Sequence, residues 1–134
     1  MSATELGGDR WSGSQSISWV IEAPSLTDLE AALGRLDGAT YTQLYLDSVV
    51  DGQSWTLIVG GDAGRYVVTA QRDDEEFWYL QRPNAPEGTV LLTTGGQEGE
   101  FPSDQVVPTE AALAAARVFF STGRLDPAQT WVSI

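Results

Sequence analysis

The stretch that decides the fold is "TQLYLDSVVDGQSWTLIVGGDAGRYVVTAQ", residues 42–71. It holds three runs rich in β-branched and aromatic residues, separated by the turn segments DGQ and GGDAG. Trp55, Leu57 and Val59 alternate along the middle run, so they share one face of a strand. Connections this short favour neighbouring antiparallel strands. The stretch therefore predicts the centre of an antiparallel meander.

The same reasoning extends to both ends of the chain. A helix is predicted from Ser25, its N-cap, to a stop at Gly38, and a second helix from Thr109, its N-cap, to a stop at Gly123. Leu26, Leu29, Leu33 and Leu36 should form the core-facing stripe of the first helix. Further strands are predicted at 17–23, 77–82, 89–94 and 129–134.

These elements predict an α+β fold: a single antiparallel sheet of about six to seven strands, arranged as a meander, with two helices packed on one face. Residues 17–134 are expected to form one domain. Residues 1–16 are rich in glycine and serine and are expected to be loose, although Trp11 could hold part of the segment to the body.

The composition excludes most catalytic chemistry. The chain has 19 acidic residues against seven arginines, with no lysine, histidine or cysteine, and its net charge is −12. A Ser-His-Asp triad, a Cys-His pair, a Schiff-base lysine and an ordinary zinc site are therefore impossible. No metal or cofactor is expected. The charge should repel nucleic acid and anionic membranes and attract basic partners, although it could also serve solubility alone.

No stretch approaches the length of a membrane span, and the first residues lack the apolar core of a signal peptide. The default expectation is a cytoplasmic protein.

Two acidic groups are candidate partner-binding sites. The first is the predicted hairpin tip Asp73, Asp74, Glu75 and Glu76, and the second is Glu98, Glu100 and Asp104. Each could be a solvated turn or a surface that binds a basic partner. A calcium site is a weaker reading of the tip, because the D-x-[DN]-x-[DN]-G pattern is absent. Paired carboxylates could also act as a general acid and base.

The glycine-rich segments 60–65 and 95–100 are interpreted as hairpin turns, since neither has the spacing of a phosphate-binding loop. Among the tryptophans, Trp19, Trp55 and Trp131 lie in strand patterns and are expected in the core. Trp78, beside the acidic tip, could be either a core residue or an exposed binding anchor.

Residues 95–131 resemble the C-terminal signature of the Imm1 family of immunity proteins. That signature has a glycine pair, an acidic segment with Phe-Pro and Val-Pro, an alanine-rich helix, a Thr-Gly stop and a terminal tryptophan. Here these are Gly95-Gly96, Phe101-Pro102, Asp104, Val107-Pro108, Thr122-Gly123, Pro127 and Trp131. Gln105 replaces a usual serine, and Leu125-Asp126 lengthen the final spacing by one residue. With the hairpin around 55–68, the resemblance covers about residues 42–131.

The resemblance implies an antidote that binds a toxin domain in the cytoplasm and covers its active site or its substrate groove, without chemistry of its own. Toxins of this kind are often nucleic-acid deaminases, encoded beside the antidote. The expected partner is thus a basic toxin domain, and the resemblance carries over no catalytic residues. The alternative is a small-ligand or carbohydrate-binding domain that uses exposed aromatic residues such as Trp78.

Overall fold

The computed structural model describes residues 3–134. Within them the chain forms nine strands, two α-helices and a short 3-10 helix, Ser103–Gln105. The strands are β1 (Glu5–Ser12), β2 (Gln15–Glu22), β3 (Gln43–Val50), β4 (Gln53–Asp62), β5 (Arg65–Arg72), β6 (Glu76–Gln81), β7 (Thr89–Thr94), β8 (Gln97–Pro102) and β9 (Thr130–Ser133). The helices are α1 (Leu26–Gly34) and α2 (Thr109–Thr122).

Seven strands form one antiparallel sheet in the order β2-β1-β3-β4-β5-β6-β9. Strands β3 to β5 are the meander that residues 42–71 predict, and β6, predicted at 77–82, continues it. Both helices pack on the same face, where Leu29 of α1 and Phe119 of α2 join Leu46 and Leu57 of the sheet in one buried core. The predicted fold class, an antiparallel sheet with two helices on one face, is confirmed.

The helix ends follow the local chemistry, with two differences. Ser25 and Asp28 form a reciprocal capping box at the start of α1, as the sequence predicts. However, α1 ends at Gly34, before Gly38, and Leu26 is 41% exposed instead of joining the core stripe. Pro108 is the N-cap of helix α2, and its ring restricts its φ angle to a value compatible with the start of a helix. Thr109 is the first helical residue and not the predicted N-cap.

The expectation of a loose N-terminal segment is wrong from residue 5 onward, because β1 is a central strand paired with both β2 and β3. The glycines of β1 suggest flexibility in the sequence, but in the structure they allow aromatic rings to pack closely against the strand. The ring of Tyr45 lies against Gly7, and the ring of Trp19 lies against Gly8, where a Cβ atom would overlap it. Residues 1 and 2 of the expected loose segment lie outside the described residues.

A buried carboxylate holds β1 in place. Asp9 accepts hydrogen bonds from the backbone N–H groups of Thr42 (2.8 Å) and Gln43 (3.1 Å) and from the indole of Trp11 (2.8 Å). The Thr42 hydroxyl also donates to Asp9 and accepts from the Gly96 N–H (2.9 Å). Asp9 therefore links β1, the start of β3 and the turn after β7.

The prediction of a single sheet misses the second one. The segment 89–94 is a strand, but it pairs with the unpredicted β8 in a separate hairpin. The turn of this hairpin is Gly95-Gly96, where both φ angles are positive, as the glycine-turn interpretation expects. The hairpin lies on the sheet face opposite the helices: Thr94 packs on Gly60, and Leu92 forms a small buried cluster with Val67. Half of that face is thereby covered.

We predict that Asp9→Ala lowers the free energy of unfolding by about 3 kcal/mol, because the N–H groups of Thr42 and Gln43 lose their acceptor while buried. Urea denaturation monitored by tryptophan fluorescence measures this change. As a control, Asp62→Ala removes only the surface ion pair with Arg65 and should change stability by less than about 1 kcal/mol. Equal effects for the two variants would contradict the anchoring role of Asp9.

Candidate functional site

The first predicted acidic group forms the turn between β5 and β6. Asp73 and Asp74 have positive φ angles, 51° and 57°, as a tight hairpin turn requires. Part of the charge is already engaged: Asp73 accepts from the Ser54 N–H (2.8 Å), and Glu76 forms an ion pair with Arg72. Asp74, Glu75 and Glu76 are exposed, so the group keeps a net negative charge at the tip of the hairpin.

Trp78 is half-buried and packs on its neighbours. Its ring stacks on that of Trp55, with centroids 5.4 Å apart and an interplanar angle of 19°, and both rings pack against the main core. The guanidinium of Arg72 lies 5.4 Å from the Trp55 ring and 5.7 Å from the Trp78 ring. This packing favours the core reading of Trp78, and a contact of Trp78 with a partner stays a prediction. Trp19 and Trp131 also pack on the core, as predicted.

The second predicted acidic group lies elsewhere. Glu98 and Glu100 are exposed on β8, and the half-buried Asp104 accepts from the Gln81 side chain (3.3 Å). The hairpin that carries Glu98 and Glu100 packs near Gly60, at one end of β4. The β5–β6 tip is hydrogen-bonded to Ser54, at the other end of β4. Six strand residues span about 20 Å. The two groups do not come together as one site.

We call the sheet face opposite the helices the open face. The β7–β8 hairpin leaves half of it uncovered, and two rows of side chains cross this uncovered half. We call this surface the bare half-face. One row, the apolar row, follows the strand register and consists of Val20, Gly7, Tyr45, Ile58, Thr69, Tyr79 and Val132. Apart from Gly7, every member is half-buried or exposed. Apart from Thr69, the row consists of aliphatic residues, tyrosines and one glycine. It is therefore a partly exposed, mainly apolar strip.

The next row of the bare half-face begins with three carboxylates on three neighbouring strands. Glu22 of β2 is opposite Glu5 of β1, and Glu5 is opposite Asp47 of β3. The row continues through Thr56, Gln71 and Phe77. Like charges directly opposite each other destabilise a sheet. This acidic row is therefore an arrangement that folding alone does not favour.

Hydrogen bonds hold two of these carboxylates in position. The Tyr45 hydroxyl donates to Glu5 (2.7 Å), and the Thr56 hydroxyl donates to Asp47 (2.7 Å). Burial, the hydrogen bond to Glu5 and the charges of Glu5 and Asp47 together raise the pKa of the Tyr45 phenol to about 12, and burial has the largest effect. Burial also raises the pKa of Asp47, as does the charge of Glu5, against the opposing effect of the Thr56 hydrogen bond.

No arginine among the described residues forms an ion pair with these three carboxylates. Among the described residues, four arginines form ion pairs: Arg65 with Asp62, Arg72 with Glu76, Arg117 with Glu30 and Arg124 with Asp51. Arg35 lies over the rings of Trp19 and Tyr41, about 4.5 Å from each. The acidic row thus carries its charge without a basic partner among these residues.

The sequence reasoning missed this site because it left β1 unassigned. The alternation of Gln43, Tyr45, Asp47 and Val49 between the buried Leu44, Leu46 and Ser48 was a usable signal for one half of it. Because strand β1 was not predicted, the position of Glu5 in the sheet could not be predicted either. The sequence pattern therefore gave no indication that Glu5 lies opposite Asp47.

The surface depressions are small. Those described have cavity volumes of 220–310 Å³, which lie around or below the lower end, about 300 Å³, of the range for typical ligand pockets. One of them lies on the bare half-face, lined by Asp47, Val49, Thr56 and Asp74 among others. Within residues 3–134 no three carboxylates are grouped to hold a metal ion, and no helix is long and apolar enough to cross a bilayer.

We predict that Asp47→Asn raises the free energy of unfolding by about 0.5 kcal/mol at neutral pH, because it removes one of two opposed charges and keeps the Thr56 hydrogen bond. A raised folded-state pKa means that the folded chain binds the proton more tightly than the unfolded chain. Wild-type stability should therefore fall as pH rises from the unfolded value, 3.8, through the raised pKa of Asp47.

Urea denaturation of Asp47→Asn and wild type near pH 3 and near pH 7 measures this difference. The gain should be present at the higher pH and absent at the lower. The exposed Glu98→Gln, also a neutralised carboxylate, is the control and should give no such pH-dependent gain. A loss of stability in Asp47→Asn at both pH values would contradict the like-charge account.

A comparison with protein families identifies the chain. The family model described as "Immunity protein Imm1" matches residues 20–133, from β2 through β9. The match extends beyond the residues that carry the resemblance in the sequence. No curated protein matches the chain significantly. The sheet, both helices and the acidic surface described above are therefore those of a member of the Imm1 family of immunity proteins, to which this chain belongs.

Proposed function

We propose that this chain neutralises a nucleic-acid-targeting toxin, of the deaminase type, by covering its active site or its basic substrate groove in the cytoplasm. Membership of the Imm1 family, which implies a toxin protein as partner, is the observation that carries the proposal. The family also implies a binding role in place of a catalytic one.

The charge distribution supports a basic partner surface. The net charge is −12, and five of the seven arginines that could offset it locally are held in ion pairs or over aromatic rings. A toxin that grips nucleic acid needs a positive groove. Opposite charges steer such partners together and raise the association rate constant from about 10⁵–10⁶ M⁻¹s⁻¹ towards 10⁸ M⁻¹s⁻¹ at low salt. Fast association suits an antidote, which must act before the toxin does.

The alternative function, binding of a small ligand or carbohydrate through exposed aromatic residues, has little structural support. Trp78, on which it depends, is stacked on Trp55, and the depressions are small for a ligand pocket. The two acidic groups that the sequence predicts lie at opposite ends of β4, so they cannot act together as a general acid and base.

We predict that co-expression of this chain rescues cells from the toxin domain encoded beside it. With purified components, stopped-flow fluorescence should show an association rate constant that falls at least about tenfold between 50 and 500 mM NaCl, because salt screens the attraction. A nuclease of similar positive charge, encoded elsewhere, is the control and should bind weakly at every salt concentration. Cells that die despite full expression of both proteins would refute the antidote function.

A further inference from the structure

We infer that the bare half-face is the surface that docks on the toxin, and that Glu5 and Asp47 together hold an arginine or lysine side chain of the toxin. This inference rests on the proposed function and names the surface that performs it. Exposed apolar side chains, unneutralised carboxylates and the poor fit of the other candidate occupants all favour this surface.

Three of the seven large apolar side chains that are exposed among the described residues lie on this face. Val20 is 52% exposed, Val49 60% and Phe77 41%, and all three point away from the helices. They flank the half-buried rings of Tyr45 and Tyr79. Tyrosine is enriched in protein interfaces because its ring buries a large area while its hydroxyl stays hydrogen-bonded. The surface thus combines exposed apolar and tyrosine side chains with the polar Thr56, Thr69 and Gln71 between them.

The carboxylates lack the cation that would make their arrangement favourable. Glu22, Glu5 and Asp47 are consecutive across three strands, and the seven strands carry a single arginine on the open face, Arg65, which is paired with Asp62 beside the hairpin. A guanidinium or ammonium group between Glu5 and Asp47 would replace a repulsion with two charge-assisted hydrogen bonds. The Tyr45 and Thr56 hydroxyls already orient both carboxylates, so little ordering remains for the partner to impose.

A second copy of the chain is a poor occupant, because two molecules of net charge −12 repel each other and would bring their acidic rows together. The chain's own hairpin already occupies the other half of the face through Thr94 and Leu92. The remaining half fits a partner that presents a basic residue beside apolar ones.

The acidic β5–β6 tip, which the sequence suggests as a binding site, lies at the border of this surface. Asp74 lines the same depression as Asp47 and Val49, so the tip borders the bare half-face. Its other carboxylates are partly engaged by Ser54 and Arg72. The tip can therefore attract a basic partner at long range, while the contact itself forms on the face.

The first experiment compares two double variants that change the net charge equally. Glu5→Gln with Asp47→Asn keeps both hydrogen-bond acceptors of the acidic row, and Glu98→Gln with Glu100→Gln neutralises the exposed pair on β8. Surface plasmon resonance against the toxin domain should show a Kd raised at least about tenfold for the first, mainly through faster dissociation, and less than about threefold for the second. A larger effect for the β8 variant, or equal effects, would overturn the inference.

The second experiment tests the apolar contribution on one strand. Val20 and Ile17 are both exposed on β2, at 52% and 67%, but they lie on opposite faces of the sheet. Val20→Asp should weaken toxin binding at least about tenfold, and the matched Ile17→Asp should leave it within about threefold. Thermal unfolding should be the same for both. Binding that survives Val20→Asp but not Ile17→Asp would place the interface on the other face and overturn the inference.

The outcomes separate this inference from the function on which it rests. If the wild-type chain neither binds nor neutralises the toxin, the proposed function fails. If it binds tightly and the face variants bind equally well, the function stands and the location is wrong. Light scattering of the chain alone is expected to give a monomer, and a dimer that Val20→Asp dissociates would assign the face to a second copy instead.

Discussion

The architecture depends on one buried carboxylate, that of Asp9, and on the hydrogen bonds that it accepts from the first residues of β3 and from Trp11. A buried charge is tolerated only when its acceptor positions are filled, and here the chain fills them with two backbone N–H groups, an indole and a hydroxyl. This network sets β1 beside β3 in one register. In that register Glu5 stands opposite Asp47. The acidic row therefore follows from the same contacts that assemble the N-terminal half of the sheet.

The two faces of the sheet serve different purposes. The helix face buries leucine, valine and phenylalanine side chains in a continuous core that provides most of the stabilisation. The open face is divided: the β7–β8 hairpin seals one half with a small apolar cluster, and the other half keeps opposed carboxylates and partly exposed tyrosines. Surfaces that bind partners commonly retain such locally unfavourable arrangements, because the partner supplies the missing interactions.

The sequence predicts the parts of this protein that depend on local patterns. The meander, the capping box at Ser25 and the αL stop at Gly123 all follow from spacing and from residue conformations, and the structure has them. Strand β1 was missed because Gly7 and Gly8 look flexible, whereas they are needed for the rings of Tyr45 and Trp19 to pack. That packing is a long-range contact, which no local pattern encodes.

The same distinction explains the outcome for the candidate site. The runs of acidic residues at 73–76 and around 98–104 are easy to see because their charges are adjacent in sequence. The acidic row joins residues 5, 22 and 47, which become neighbours only through strand pairing. Trp78 was ambiguous for a similar reason, since its partner Trp55 lies on a strand two positions away in the sheet.

The most direct measurement of this account is a crystal structure of the chain bound to its toxin. We expect an arginine or lysine nitrogen of the toxin within about 4 Å of the carboxylates of both Glu5 and Asp47, with Val20 and Val49 buried in the interface. A complex in which the toxin contacts only the β5–β6 tip or β8, and leaves Glu5 and Asp47 open to solvent, would contradict it.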